Sequence, residues 1–324
     1  MKRSCLWHFN LDFTYYDTRT QDQTFDPQVS TGSGSSTIYI QSGNIRNRGI
    51  ELALGYSNTW GKFSWDSNYT LSTNRNEILS LANNVVNPET GEHFSVDLLD
   101  MNGLGTAHFL LKEGGTLGDL YSFVDLKRDE TGSIYIDADG KLATETIGNV
   151  DRYIKLGSVL PDANMAWRND FRVGNFHFGF MISARLGGIV FSRTQAMLDY
   201  YGVSEASAAA RDAGTVMING GDYVDPNVWY SAIGGGNSVP QYYTYSATNV
   251  RLQEASIGYT IPRKKLGNLC EITLSLVGRN LWMLYCKAPF DPETIATTGN
   301  FYQGIDYFMM PSLRNIGFNL RLKF

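Results

Sequence analysis

No run of about 18 apolar residues occurs in this 324-residue chain, which excludes a bundle of transmembrane helices. Charge is also scarce. Only 18% of residues are Asp, Glu, Lys or Arg, below the roughly 25% of ordinary soluble domains. The 27 basic and 32 acidic residues leave a net charge of −5 with no basic block, so nucleic acid is not an expected partner. Cys5, Cys270 and Cys286 form an odd set, which argues against a disulfide framework. Cys270 and Cys286 bracket one extended segment and would stand about 50 Å apart if it runs straight, too far to pair. No CxxC motif or His/Cys cluster offers a zinc site, and His8, His93, His108 and His177 are scattered, so no metal or cofactor is expected. After Lys2 and Arg3 the apolar stretch is interrupted by His8, Asn10 and Asp12, too early for a signal-peptide core. What the chain does have is aromatics at 13%, with 19 Tyr and 17 Phe, and 33 Gly. That aromatic load excludes disorder and leaves an all-β soluble protein or a β-barrel.

Alternation with period two is the strongest signal. Ile50, Leu52, Leu54 and Tyr56 alternate with Gly49, Glu51, Ala53 and Gly55. Phe63, Trp65, Tyr69 and Leu71 alternate with Ser64, Asp66, Asn68 and Thr70. Phe176, Phe178, Phe180 and Ile182 alternate with His177, Gly179, Met181 and Ser183. Ala255 to Ile261, Ile272 to Leu276 and Ile316 to Phe324 repeat the pattern. Segments of about 10 residues suit a tilted membrane strand, whereas soluble strands average about 5–6. The second face carries Glu, Asp, Arg, Lys, Gly and Ser, as a wet lumen requires. Tyr56, Trp60, Tyr69, Tyr259, Trp282 and Tyr285 are placed to form interfacial girdles. The same alternation also writes a one-sided soluble sheet.

Connections fall into two classes. Short turns at 58–61, 174–175 and 262–268 alternate with long insertions at roughly 20–46, 80–103, 114–162, 187–248 and 285–312, the asymmetry of an outer-membrane barrel. Within one insertion Ser204 reads as the N-cap of a short surface helix with a body from Glu205 to Arg211 and a stop at Gly214. Asp137-Ala138-Asp139-Gly140 lacks the ligand spacing of a calcium loop and reads as a hairpin turn. No GxSxG, HExxH or P-loop is present, and no enzyme is expected. The candidate contact residues for substrate or a lid protein are aromatic: Trp229, Tyr230, Tyr242, Tyr243 and Tyr245 in the 187–248 insertion, with Tyr302 and Tyr307 in the last. Exposed, such rings stack on sugars or line a peptide cleft; otherwise they pack the loops against one another.

A series of short segments resembles the C-terminal part of the SusC/RagA-type TonB-dependent outer-membrane transporters of Bacteroidota. They include Gly43-Asn44-Ile45-Arg46-Asn47-Arg48-Gly49-Ile50-Glu51-Leu52, Leu111-Lys112-Glu113-Gly114, and Asn249-Val250-Arg251-Leu252-Gln253-Glu254. Gly278-Arg279-Asn280-Leu281, Asp291-Pro292-Glu293 and Gly304-Ile305-Asp306-Tyr307 follow, before the strand ending at Phe324. Each is weak alone; their order and spacing are specific, and they extend over nearly the whole chain from about Asn10.

The resemblance implies a barrel of about 22 strands filled by a plug. It also implies a SusD-like surface lipoprotein as lid, outer-membrane lipid around the barrel, and import of a glycan or peptide driven by TonB–ExbB–ExbD. The expected fold is an antiparallel transmembrane β-barrel, here a partial barrel of roughly 8–10 strands with long extracellular loops. Residues 1–9 read as an atypical start and 10–324 as the C-terminal portion of the barrel, without signal peptide, TonB box or plug. TonB–ExbB–ExbD would then act through the missing N-terminal part, and the fragment alone would not transport. Two other readings compete: a soluble carbohydrate-binding β-sheet protein, which would need a polar outer surface, and a glycoside hydrolase, which would turn over a glycan.

Overall fold

The structure is a computed structural model and describes residues 8–25, 40–86, 91, 93–296 and 303–324. Its frame is an eight-stranded antiparallel sheet: β1 (Phe9–Phe25), β2 (Ile40–Trp60), β3 (Phe63–Ser80), β4 (Ala163–Val173), β5 (Phe176–Leu186), β6 (Asn249–Ile261), β7 (Glu271–Cys286) and β8 (Asn315–Lys323). Each strand pairs with its neighbour in that order, and the sheet does not close: β1 and β8 are its edges. This is a partial barrel at the lower bound of the expected strand count.

Register turns the sequence alternation into two continuous faces. Trp65 lies opposite Phe171, then Phe178, Ile257, Leu276 and Phe318. Leu11, Leu54, Tyr69, Trp167 and Ile182 form a second row. These rows meet no second layer; Leu11, Phe178, Ile257 and Phe318 are exposed. One polar row crosses all eight strands: Asn10, Gly55, Asn68, Arg168, Met181, Glu254, Arg279 and Asn315. An exposed apolar face over this many strands is what the lipid-facing side of a membrane barrel carries. Among the described residues no helix is long and apolar enough to cross a membrane, so any crossing falls to the strands.

Aromatic rings concentrate at the short-turn end. Phe9 and Tyr56 have centroids 4.8 Å apart, Tyr56 and Trp65 5.1 Å, Trp60 and Phe63 5.8 Å, and Phe176 and Tyr259 4.8 Å. Trp282 and Tyr285 lie near the far end of β7 and are exposed. Tyr69 sits inward of the ring cluster, opposite Trp167. On the apolar face, Asn169 is only 1% exposed beneath these rings, and its Oδ1 accepts from the Trp65 indole at 3.0 Å. Trp167 likewise donates to Ser67 Oγ at 3.0 Å. The two indoles thus cover polar groups that lipid cannot satisfy.

Several strands outrun the expected ten residues: β2 has 21 and β3 has 18. The excess lies beyond the apolar rows, where β1 to β3 continue as a polar hairpin supported by the loops. At the crowded Gly49, a Cβ would meet the Thr73 carbonyl and the Tyr16 ring, and Tyr16 donates across it to Thr73 O at 3.1 Å.

The insertions fold into a cap at the long-loop end. Residues 80–103 and 114–162, expected as two separate long insertions, form one unit between β3 and β4 together with the segment that joins them. Ala107–Lys112 pairs there with Leu98–Leu104 and Asp119–Ser122, and Ile154–Ser158 completes a four-stranded sheet. The reason is burial on both faces: Phe109, Leu110 and Leu111 are all sequestered, which a lipid-facing strand would not allow. The Asp137 turn is a hairpin tip, its Oδ1 accepting from the Lys141 amide at 2.8 Å. The 187–248 insertion holds α1 (Arg193–Tyr200), α2 (Glu205–Ala213) and α3 (Pro226–Ile233). Helix α2 has Ser204 as N-cap and Gly214, at φ 78°, as left-handed cap, as its sequence required. The hydrophobic core sits in this cap and includes Phe109, Leu120, Phe191, Val239, Tyr243 and Ile305.

Candidate functional site: the polar wall beneath the cap

Ile45 and Ile78 carry the parity of the polar rows and are buried in the cap core, so the cap folds over the polar face. That face and the underside of the cap form the candidate site. Three polar anchors join them. Asn76 Oδ1 accepts from the Leu117 amide at 2.8 Å. Arg185 donates to the Val159 carbonyl at 2.8 Å. Arg251, 4% exposed, donates to Asp291 Oδ1 at 2.8 Å and Oδ2 at 3.1 Å, to Asn249 Oδ1 at 3.1 Å, and lies 3.2 Å from Glu293. Burial alone would raise Asp291, but hydrogen bonds from Arg251, Ser312 and the Glu293 amide hold its carboxyl below the usual range. This latch ties the last long loop to β6.

Lower on the wall, Glu254 lies between two cations. Arg279 Nε is 3.1 Å from its Oε2 and Arg168 Nη1 is 3.8 Å from its Oε1, while Arg168 Nε also pairs with Asp170 at 2.7 Å. The charges Arg279, Glu254, Arg168 and Asp170 thus alternate across β7, β6 and β4, facing the lumen side. Reading motifs alone missed this ladder; the parity of these residues in their strands is the signal that finds it.

The candidate aromatic residues divide by environment. Trp229 and Tyr230 on α3 and Tyr242 pack against the cap core, with Trp229 edge-on to Tyr242 at 5.2 Å. Tyr243 is 1% exposed and belongs to the core itself. Tyr245 meets Phe290 edge-on at 5.5 Å. Burial, then the nearby Asp199 carboxylate and Tyr230, pushes the Tyr245 hydroxyl up to about 12, and burial with Asp199 also raises Tyr243. These phenols stay neutral at any physiological pH. Tyr307 is the exposed one, with the Arg193 guanidinium 5.3 Å from its ring centroid. Tyr302 lies outside the described residues. Among the described residues no group of three or more His, Cys, Asp or Glu is arranged to hold a metal. The arrangement is a polar, charge-alternating wall with an aromatic-braced roof.

No family model matches the chain. It is 26% identical to the TonB-dependent receptor P3 of Formosa agariphila over 339 residues, spanning 97% of this chain and 32% of that receptor. The TonB-dependent receptor P26 of the same organism is 25% identical with the same coverage. The TonB-dependent receptor SusC of Bacteroides thetaiotaomicron is 23% identical, over 80% of this chain and 26% of its own length. The chain therefore spans about a third or less of these relatives. Its fold matches the RagAB peptide importer in the closed-closed state at a TM-score of 0.65 and 15% identity, covering 98% of this chain and 34% of that one. The open-open state of the same importer gives 0.62 at 14% identity. By sequence pattern and by fold together, the chain is a homologue of TonB-dependent receptors of the SusC/RagA kind, matched along nearly all of its own length and about a third of theirs.

Proposed function

We propose that this chain forms the C-terminal wall and outer cap of an outer-membrane TonB-dependent transporter that imports a glycan or a peptide. A SusD-like surface lipoprotein closes over the cap, and TonB–ExbB–ExbD supplies energy through receptor segments outside residues 10–324. The observation that carries this reading is the pair of unlike faces. Apolar rows lie exposed across eight strands on one side, and a polar row crosses the same strands beneath a folded cap on the other. A soluble carbohydrate-binding sheet would bury or polarise the first face. The role is transport and not catalysis.

The open edges of β1 and β8 add a requirement. Unpaired backbone N–H and C=O groups cannot be satisfied by hydrocarbon, so further strands must pair with both edges before the wall can conduct cargo. Of the aromatic candidates, Tyr307 is placed to touch cargo or lid, and the packed ones hold the roof in shape. The test is uptake of a labelled oligopeptide or oligosaccharide by cells carrying the receptor with its SusD-like lipoprotein. Uptake is expected to stop when TonB is removed. Persistence without TonB, uptake into liposomes by the isolated chain, or a stable monomer of the chain in plain buffer overturns the proposal.

A further inference from the structure

The apolar rows of the outer face end at one level on three adjacent strands. On β1, outward-facing Phe13 and Tyr15 are followed by Asp17 and Arg19. On β2, Leu52 and Ile50 are followed, toward the cap, by Arg48 and Arg46. On β3, Leu71 and Thr73 are followed by Arg75 and Glu77. Register aligns the changeover: Asp17 lies opposite Arg48, which lies opposite Arg75, and Arg19 lies opposite Arg46, which lies opposite Glu77. Four guanidinium groups and two carboxylates therefore form a patch of net positive charge, beginning about 7 Å along the strands from Tyr15 and Ile50.

The acids do not neutralise it. Asp17 is occupied by Arg46, whose Nε donates to Oδ1 at 2.9 Å, and Arg48 reaches Glu77 only at 4.0 Å. Arg19 and Arg75 are exposed and have no ion-pair partner among the described residues. Arg48 directly opposite Arg75 is a like-charge pair, unfavourable unless an anion sits against both. A polar notch of about 450 Å³ opens beside them at the rim of the wall, where Arg48, Arg75 and Glu77 meet Asn74 and Asn76 of the polar face, Thr116 and Ser158 of the cap, and the Asp162 carboxylate.

We propose that this ridge binds the phosphate-bearing headgroup of a membrane lipid whose acyl chains lie along the apolar rows below it. Guanidinium forks match phosphate oxygens in pairs. The continuous apolar rows immediately beneath favour a lipid over a free anion, because only an amphiphile uses both surfaces. The four arginines carry the parity of the apolar rows, opposite to that of the polar row on the same strands.

The test uses the whole receptor that contains this chain, folded in zwitterionic detergent micelles, with strand content checked by circular dichroism, and native mass spectrometry to count bound diphosphoryl lipid A. Arg19→Gln with Arg75→Gln leaves the Asp17–Arg46 and Arg48–Glu77 pairs intact. At roughly a kcal/mol for each basic residue at an anionic surface, it is expected to weaken retention about thirtyfold. Arg75→Gln alone, the fallback should the double variant lose its strand signal, is expected to weaken it about fivefold. Lys141→Gln in the cap is expected to change nothing. Equal retention by wild type and the arginine variants overturns the site. Displacement of the lipid by millimolar inorganic phosphate overturns the lipid assignment, since a free-anion site would then suffice.

Discussion

The Arg251 latch gives a sharp test of how the cap is held. Arg251→Gln removes the guanidinium that donates twice to Asp291 and lies 3.2 Å from Glu293, at a position 4% exposed. Breaking a buried pair by deleting one partner costs about 3–5 kcal/mol, because the remaining carboxylate stays desolvated without its cation. Here Asp291 can relax outward with its loop, so the expected outcome is local opening, its equilibrium raised by two to three powers of ten on the scale of about 1.4 kcal/mol per tenfold. Hydrogen–deuterium exchange on the peptide covering 287–296 reads this directly. The Ala296 amide, bonded to Ile305 O at 2.8 Å, and the Glu293 amide, bonded to Asp291 Oδ1 at 3.0 Å, should lose protection, while β6 and β7 amides keep theirs. As a contrast, Arg128→Gln breaks an exposed pair with Asp125 and should cost at most about 1 kcal/mol. Unchanged exchange at 287–296 in the Arg251 variant would refute the latch.

The same latch should respond to acid. Asp291 has a lowered folded-state value, so its contribution is complete above the ordinary carboxylate range near about 4 and is lost as pH falls through the lowered value; exchange at 287–296 measured from pH 6 downward should rise only at that acidic end. Trp65→Phe strips the donor from buried Asn169 Oδ1 and should destabilise the micelle-folded sheet by about 1–3 kcal/mol, more than Trp167→Phe, whose Ser67 partner is less buried; equal melting temperatures for the two variants would refute this. Glu254→Gln leaves Arg279, 69% exposed, and Arg168 hydrated, so thermal stability should move by no more than about 1 kcal/mol; a larger fall would mean that the ladder holds the wall together. Ser204→Ala should cost about 1 kcal/mol and show as faster exchange confined to α2, and exchange spreading to α3 would contradict its independence as a surface helix.

The wall was legible in the sequence because its physics is local. Period two fixes which side chains share a face, and each strand pairs with the next in the chain, so a correct reading of Phe176 to Ile182 or Ile316 to Phe324 already gave the lipid side. Helix α2 was equally readable, from Ser204 and Gly214. Helix α3 carries markers of the same kind, Asp225 as N-cap with Pro226 following. The cap was not legible. Its core joins segments far apart in sequence, as where Ser192 donates to Asp306 across 114 positions at 2.6 Å, and no local period announces such a contact. The same applies to Ala107–Lys112, which alternates too little to tell a barrel strand from a doubly covered one. The inward packing of Trp229, Tyr242 and Tyr243 is likewise a product of that distant assembly.

Because the eight wall strands form an unbroken meander, the folded insertions hang from hairpin ends without interrupting a single ladder. The chain can therefore trade, enlarge or shrink its roof pieces during evolution while the staves beneath keep their spacing.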